Sequence, residues 1–146
     1  MSALLTVVLD TSVWVSGVFF RGTPYRVLRA WRDHHFDVVY TPEVLQEIAD
    51  TLRAKALAFG AADADALEWV AYIRAFARHV AASGAGAGVC RDPRDDKFLD
   101  AAITARATYL VSSDRDLLDL GEVQGVQIVS PQQFLAVLGP FTSDRH

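Results

Sequence analysis

LLTVVLD, residues 4–10, runs directly into TSVWVSG, residues 11–17. The first segment is almost entirely apolar and has the length of a buried strand, yet it ends on a carboxylate, Asp10. Because aspartate is a favoured helix N-cap, Asp10 could simply cap a helix that starts at the next residue. It could also be a metal ligand at the end of a strand. The second interpretation predicts further carboxylates elsewhere in the chain.

Length and composition indicate a globular protein with its own core. The chain has 146 residues, of which 51% are hydrophobic and 22% charged. Its single cysteine, Cys90, excludes a disulfide framework within the chain. With no signal-peptide pattern and no apolar run of about 20 residues, we expect a cytoplasmic protein outside the membrane. The net charge of −4 argues mildly against a nucleic-acid binder, unless several acids cluster around cations.

Strands and helices alternate along the chain. The predicted strands are 4–9, 36–40, 108–113 and 126–130. The predicted helices are 24–34, 42–57, 63–82, 95–107, 115–120 and 131–138. This alternation predicts an α/β fold with three layers, α/β/α, around a mainly parallel sheet whose ligands bind at the carboxyl ends of the strands. We expect one domain over 1–139 and a polar tail over 140–146.

The glycine-rich segment ASGAGAG, residues 82–88, is predicted to be a flexible connector. A phosphate-binding glycine loop requires a strand directly before it and a helix directly after it. Here a helix is predicted to precede the glycines. The small residues instead match the composition of a flexible linker.

Two aspartates follow strands at matching positions. Asp10 comes after LLTVVL, and Asp114 comes after TYLVSS. If the two strands are neighbours in a parallel sheet, their carboxylates lie on the same edge of that sheet. Either aspartate alone could be a helix cap, but two at the same structural position favour a site.

Two helices each offer a further acid near that edge. At about 100° of rotation per residue, Glu47 lies at the edge of the apolar stripe of its helix. From there its side chain could reach along the packed face toward the edge of the sheet. Asp96 flanks the stripe of the 95–107 helix in the first turn, where the helix dipole favours an anion. Asp100, one turn on, is expected to support the site or to be solvated. Asp92 and Asp95 are more consistent with helix caps.

The candidate site is therefore Asp10, Glu47, Asp96 and Asp114, with Asp116 as an additional candidate. Four carboxylates in a small volume repel one another, so at least one would protonate without a counter-charge. A divalent cation removes this conflict, and oxygen ligands select Mg²⁺ or Mn²⁺ over zinc. The histidines and the lone cysteine have no zinc-ligand spacing.

Four stretches, LDTSVWVSG, TPEVLQEIADTL, RDPRDDKFLDAA and YLVSSDRDLL, resemble the PIN domain in their order and intervals. More narrowly, they resemble the VapC-type toxins of bacterial toxin–antitoxin pairs, from Leu5 to about Leu138. In that family the acids bind Mg²⁺ or Mn²⁺ and the activity is cleavage of single-stranded RNA. The chain departs from the family at Ser12, often Asn, and at Ser112, often Thr. Both serines keep a small hydrogen-bonding side chain.

The resemblance implies a metal-dependent endoribonuclease that hydrolyses phosphodiester bonds. Its metal ligands and catalytic residues would be Asp10, Glu47, Asp96 and Asp114. Five residues would support them or add a ligand, namely Ser12, Ser112, Ser113, Asp116 and Asp100. From their charge and position, four basic residues could neutralise RNA phosphates, namely Arg21, Arg26, Arg94 and Lys97, although a solvated helix face explains any single arginine at least as well. The implied partners are single-stranded RNA, a cognate antitoxin and a second copy of the chain.

The alternatives come from other classes of protein. A PIN-like binding module could act through a partner protein with weak or no catalysis, although the presence of all four acids argues against lost catalysis. Haloacid-dehalogenase phosphatases need a second aspartate where this chain has Ser12. Receiver domains need an acidic pair after the first strand, where this chain has Thr11. Trp14 and Trp31 fit the core or a dimer face better than base stacking.

Overall fold

A computed structural model describes residues 4–61 and 63–139, without the side chain of Asp63. Within these ranges there are six strands: β1 (Thr6–Leu9), β2 (Asp37–Tyr40), β3 (Arg78–His79), β4 (Tyr109–Val111), β5 (Glu122–Val123) and β6 (Val126–Val129). They form one sheet in the order β3-β2-β1-β4-β6-β5. All neighbours are parallel except β5 and β6. The predicted mainly parallel α/β fold is confirmed.

Helices flank this sheet. They are α1 (Thr11–Phe19), α2 (Thr23–Arg32), α3 (Pro42–Ala58), α4 (Asp63–Phe76), α5 (Asp96–Thr104), α6 (Arg115–Leu118) and α7 (Pro131–Leu138). The start of α3 follows the sequence prediction, because the Thr41 hydroxyl accepts the backbone N–H of Val44 and Pro42 is the first helical residue. None of the described helices is long and apolar enough to cross a membrane.

The centre of the sheet and α1 form the core. Val7 and Val8 on β1 are completely buried. The Trp14 indole packs edge-on against Trp31, with ring centroids 5.6 Å apart, and its Nε1 donates to the Leu9 carbonyl at 3.2 Å. Both tryptophans therefore belong to the core, as predicted, and are not available for stacking on bases.

The helix predicted over 63–82 ends earlier, at Phe76. The chain then forms β3, which pairs in parallel with β2 through Tyr40 and His79. The N–H of Val80 extends this contact by donating to the Tyr40 carbonyl at 2.9 Å. Backbone pairing with a distant strand outweighs the local helical pattern here. Its effect is to bring His79 to the carboxyl end of β2.

The short antiparallel β5 was not predicted. It joins β6 through a two-residue turn in which Gln124 and Gly125 have φ of 49° and 87°. Positive φ at both central residues is the geometry of a tight hairpin turn. Near the carboxyl end of the described residues, α7 stops as predicted at Gly139, whose φ is 76°. The tail expected over 140–146 lies outside the described residues.

Candidate active site

Asp10 and Asp114 meet at the carboxyl edge of the sheet. Their strands, β1 and β4, are neighbours with Leu9 opposite Val111, and the Asp10 N–H donates to the Val111 carbonyl at 3.1 Å. Asp10 is 4% exposed, although it carries an ionisable group. The Asp114 N–H donates at 2.9 Å to the hydroxyl of Ser112, which contacts Asp10. Neighbouring strand ends thus bring the two aspartates to one place.

Two serines hold both oxygens of the Asp10 carboxylate. The Ser12 hydroxyl donates to Oδ1 at 2.6 Å, and the Ser112 hydroxyl donates to Oδ2. Oδ1 also accepts the Val13 N–H at 3.2 Å, so Asp10 caps α1 as well. Ser113 contributes only its backbone N–H, which donates to the Ser12 hydroxyl at 3.2 Å. These bonds fix the orientation of the carboxylate.

The buried Asp10 carboxyl retains its proton to unusually high pH. Burial raises its pKa from 3.8 to about 6, even though the bonds from Ser112, Ser12 and Val13 lower it. The negative charge of Asp114 raises the pKa further. Near neutral pH, the ionised carboxylate therefore lies where burial has removed the water that would stabilise its charge.

Asp95 joins these two acids. The sequence pattern indicated a helix cap, but Asp95 ends a short 3₁₀ turn, Pro93–Asp95, and makes no side-chain capping bond. It instead lies close enough to Asp114 for the charge of that aspartate to act on the Asp95 carboxyl. Burial raises the pKa of Asp95 to about 6, and the charges of Asp114, Asp92 and Asp10 raise it as well. Asp95 is the acid of this edge that sequence reasoning missed.

Asp96 points elsewhere. Its two carboxylate oxygens accept the backbone N–H groups of Gly88 at 2.8 Å and Cys90 at 2.9 Å. Burial raises the pKa of Asp96, but these hydrogen bonds outweigh it and the net pKa is lowered. The structure therefore places Asp96 against the loop before α5, not with Asp10 and Asp114.

Glu47 lies next to this edge and already has a cationic partner. Its Oε2 accepts the hydroxyl of Thr11 at 2.6 Å, so Glu47 lies beside the residue that follows Asp10. Its Oε1 lies 2.5 Å from the Lys97 ammonium, with both side chains about 30% exposed. Lys97, expected to contact RNA, thus stands at the rim of the acidic edge.

The family model described as PIN domain matches residues 6–116. The chain belongs to the PIN domain family. The match covers β1, with Asp10, and extends to Asp116, so it contains every acid described above.

Two solved structures share the fold of this PIN domain. PAE2754 from Pyrobaculum aerophilum superimposes with a TM-score of 0.62 at 15% identity, over 92% of this chain and 89% of that chain. Mycobacterium tuberculosis VapC20, described as a toxin that cleaves the sarcin-ricin loop, has a TM-score of 0.57 at 16% identity, over 81% of this chain and 97% of that chain. No curated protein matches the sequence significantly.

The glycine-rich segment of this PIN domain is anchored to α5. Asp100, 6% exposed, accepts the N–H groups of Ser83 at 3.2 Å and Gly86 at 3.3 Å. Together with the bonds to Asp96, these contacts hold the backbone from 83 to 90 along one face of α5. The prediction of a flexible connector over 82–88 is corrected accordingly. Asp100 serves this loop and makes no contact with Asp10.

Gly86→Ala is expected to destabilise the PIN domain by about 1–3 kcal/mol, as overpacking does. A Cβ at this position would lie 2.6 Å from the backbone nitrogen of Asp100, which cannot move without distorting α5. Urea unfolding followed by tryptophan fluorescence measures the change. Gly22→Ala is the matched control, since its Cβ would meet nothing closer than 3.9 Å. Equal stability of the two variants would contradict this anchoring.

The other predicted polar residues fall into two groups, one near the acidic edge and one away from it. Arg94 pairs with Asp92 at 2.9 Å, and Asp116 pairs with Arg91 at 3.1 Å. Arg21 stacks over the ring of Tyr25, 4.6 Å from its centroid, and Arg26 is exposed on α2. Arg94 is thus near the acids, whereas Arg21 and Arg26 lie beyond the other end of α1.

The donor set of this PIN domain suits a hard divalent cation. In the described ranges, no three His, Cys, Asp or Glu side chains form a ready-made metal cage. However, Asp10, Asp95 and Asp114 crowd negative charge together with raised pKa values at two of the three. Carboxylate oxygens alone are ligands that Mg²⁺ and Mn²⁺ prefer. The residues therefore fit such an ion, whose charge would offset the repulsion among the three carboxylates.

Proposed function

We propose that this PIN domain is a Mg²⁺- or Mn²⁺-dependent endoribonuclease that hydrolyses phosphodiester bonds of single-stranded RNA. The observation that carries the proposal is the crowding of Asp10, Asp95 and Asp114 at the carboxyl edge of the sheet. Two of these acids have a pKa raised to about 6, first because burial disfavours their charged forms and also because neighbouring carboxylates repel them. A site of this kind binds a divalent cation at neutral pH without first displacing an ion pair.

In this proposal, Asp10, Asp95 and Asp114 hold the cation. The resemblance to the family assigned one of these places to Asp96, and we propose Asp95 instead, because both Asp96 oxygens already accept loop N–H groups. Ser12 and Ser112 keep the Asp10 carboxylate in one orientation. When bound, the cation supplies an acidic water and neutralises charge on the phosphate.

Glu47 and Lys97 are proposed to act at the substrate side of the acids. Through Thr11, Glu47 is held next to Asp10, where it can orient the attacking water or add a ligand. The Lys97 ammonium, now 2.5 Å from Glu47, can reach a phosphate oxygen by rotation of its own side chain. The pair thereby offers a negative and a positive group next to the acids that would hold the cation.

We further propose that the protein is the toxin of a toxin–antitoxin pair and acts in the cytoplasm. Membership of the PIN family and the fold shared with VapC20 support this assignment. A protein partner is supported by exposed apolar side chains at the ends of α1 and α3, where Phe20 and Phe59 are each about half exposed and Leu57 is 84% exposed. The partners proposed for this surface are a cognate antitoxin and a second copy of the chain.

Cleavage of a labelled single-stranded RNA tests the proposal. The purified protein is expected to cleave it with Mn²⁺ or Mg²⁺ and to stop when EDTA is added, because three carboxylates cannot stabilise a phosphorane-like charge without a cation. Re-adding Mn²⁺ is expected to restore the rate. RNA binding without cleavage under all metal conditions would instead favour a PIN-like binding module.

A further inference from the structure

A cavity of about 370 Å³ lies between α3 and the ends of β2, β3 and α4. Its apolar floor includes Tyr40, Leu45 and Ala49, and its polar rim includes Gln46, Arg74 and His79. The Tyr40 and His79 rings meet edge-on with centroids 5.6 Å apart. A volume of this size suits one nucleotide, and the exposed His79 ring offers an aromatic surface beside it.

The charge of this cavity suits a phosphate. Among the described residues that line it, Arg74, His79 and the Tyr40 phenol are the only ionisable side chains, and none is a carboxylate. Within the described ranges, no acidic side chain pairs with either Arg74 or His79. Both are exposed, so they can approach an anion without first breaking an ion pair.

The cavity is continuous with the acidic edge. A second cavity, about 540 Å³, is lined by Glu47 and Lys97 and shares Pro42 and Gln46 with the first. The two cavities are therefore neighbours on the surface. Because Glu47 contacts Thr11, the residue after Asp10, the two cavities make one path along the ends of β3, β2 and β1.

We propose that the Arg74–His79 cavity binds the nucleotide of single-stranded RNA next to the scissile phosphate, on one defined side of it. This inference rests on the proposed ribonuclease function and adds a binding subsite to it. The second cavity is lined by three acids, Glu43, Glu47 and Asp50, against one cation, Lys97, so its net charge is negative where no metal is bound. The Arg74 guanidinium at the far end attracts a phosphate. This difference in charge favours one side of the scissile phosphate for the additional contact.

Binding of a fluorescent ten-nucleotide RNA tests the subsite without catalysis. In EDTA, or with Asp10→Asn as an inactive background, the double variant Arg74→Ala/His79→Ala is expected to bind about 10-fold more weakly, and the dependence of log Kd on log salt is expected to fall by about 0.7 for each lost phosphate contact. Arg53→Ala is the matched control, since Arg53 is exposed on α3 but does not line this cavity.

The outcomes separate the subsite from the function. If wild-type protein cleaves RNA with Mn²⁺ but the double variant binds RNA as tightly as wild type, the subsite is overturned and the proposed function stands. The same result is expected if the cavity takes a protein segment instead of RNA. An equal loss in Arg53→Ala also overturns the subsite, because it indicates general attraction. If the wild type never cleaves RNA but the double variant still weakens binding, the ribonuclease proposal fails and the RNA contact stands.

Discussion

Asp95→Asn is expected to lower the rate of RNA cleavage at saturating Mn²⁺ by about 1,000-fold, a loss on the scale seen when a group that stabilises transition-state charge is removed. Asparagine keeps the size of the side chain but removes one of the three carboxylates that hold the cation. The fold is expected to survive, because Asp95 caps no helix and its charge is repelled by Asp114 and Asp10. Initial rates on labelled RNA, with circular dichroism of each variant, measure both effects.

The comparison with the next residue makes the experiment decisive. Asp96→Asn is expected to lose far less activity than Asp95→Asn and to lose stability instead, because its oxygens accept two loop N–H groups. Asp119→Asn, at an exposed position after α6, is the control for removing a charge near the site. A large loss of activity in Asp96→Asn together with normal activity in Asp95→Asn would contradict our assignment.

The choice between Asp95 and Asp96 shows that the sequence pattern could not identify which of two adjacent acids faces the site. Neighbouring residues on a helix point about 100° apart. If the predicted orientation of the helix is wrong by one residue, the acid predicted to face the site is therefore the wrong one of two neighbours. The apolar stripe of α5 defines that phase only from Phe98 onward. The preceding 3₁₀ turn follows different periodicity and carries Asp95 toward Asp114. Pro93, directly after the Asp92 cap, was the available signal that a turn begins there.

The fold itself was largely predictable because its signals are local. The apolar run of β1 ending at Asp10, the Thr41–Pro42 start of α3 and the Ser130–Pro131 start of α7 each combine a strand pattern with a capping residue. The sequence predicted that Asp10 and Asp114 lie together, because neighbouring parallel strands end at the same edge of a sheet. The fold follows from these short-range features.

Features that depend on distant backbone partners were not predictable. The end of α4 is set by pairing of Arg78 and His79 with β2, which lies almost forty residues earlier in the chain. The glycine-rich loop is likewise held by Asp96 and Asp100. These two acids are four residues apart and therefore share one face of α5. That spacing indicated a common partner, but the sequence did not identify the loop as that partner.

The crowded acids also predict an unusual dependence of stability on pH and metal. In EDTA, Asp10 is expected to destabilise the folded protein as pH rises. Its pKa is 3.8 in the unfolded chain and about 6 in the folded one, so the folded state binds the proton more tightly between these values. The stabilisation is complete below about pH 4 and is lost as pH passes through about 6, by at most about 3 kcal/mol for a shift of this size. Asp95 acts in the same direction, less strongly because it is more exposed.

Asp10→Asn isolates this effect from the other carboxylates. Asp92 and Asp96 have lowered pKa values, so their ionisation stabilises the fold as pH rises and opposes the trend in the wild type. Subtracting the unfolding free energies of wild type and Asp10→Asn, measured by urea titration in EDTA, removes these shared contributions. The variant is expected to gain stability relative to wild type between pH 4 and 7, because Asn can still cap α1 without carrying a charge.

Divalent metal is expected to reverse that ranking. At pH 7.5, Mn²⁺ should raise the unfolding free energy of the wild type with the logarithm of its concentration, because only the folded chain brings Asp10, Asp95 and Asp114 together. It should raise that of Asp10→Asn much less. A metal response of the same size in both proteins would mean that the ion binds away from Asp10. A flat difference between wild type and variant across pH would mean that Asp10 ionises as freely in the folded state as in the unfolded one, and the electrostatic case for a cation at this edge would fail.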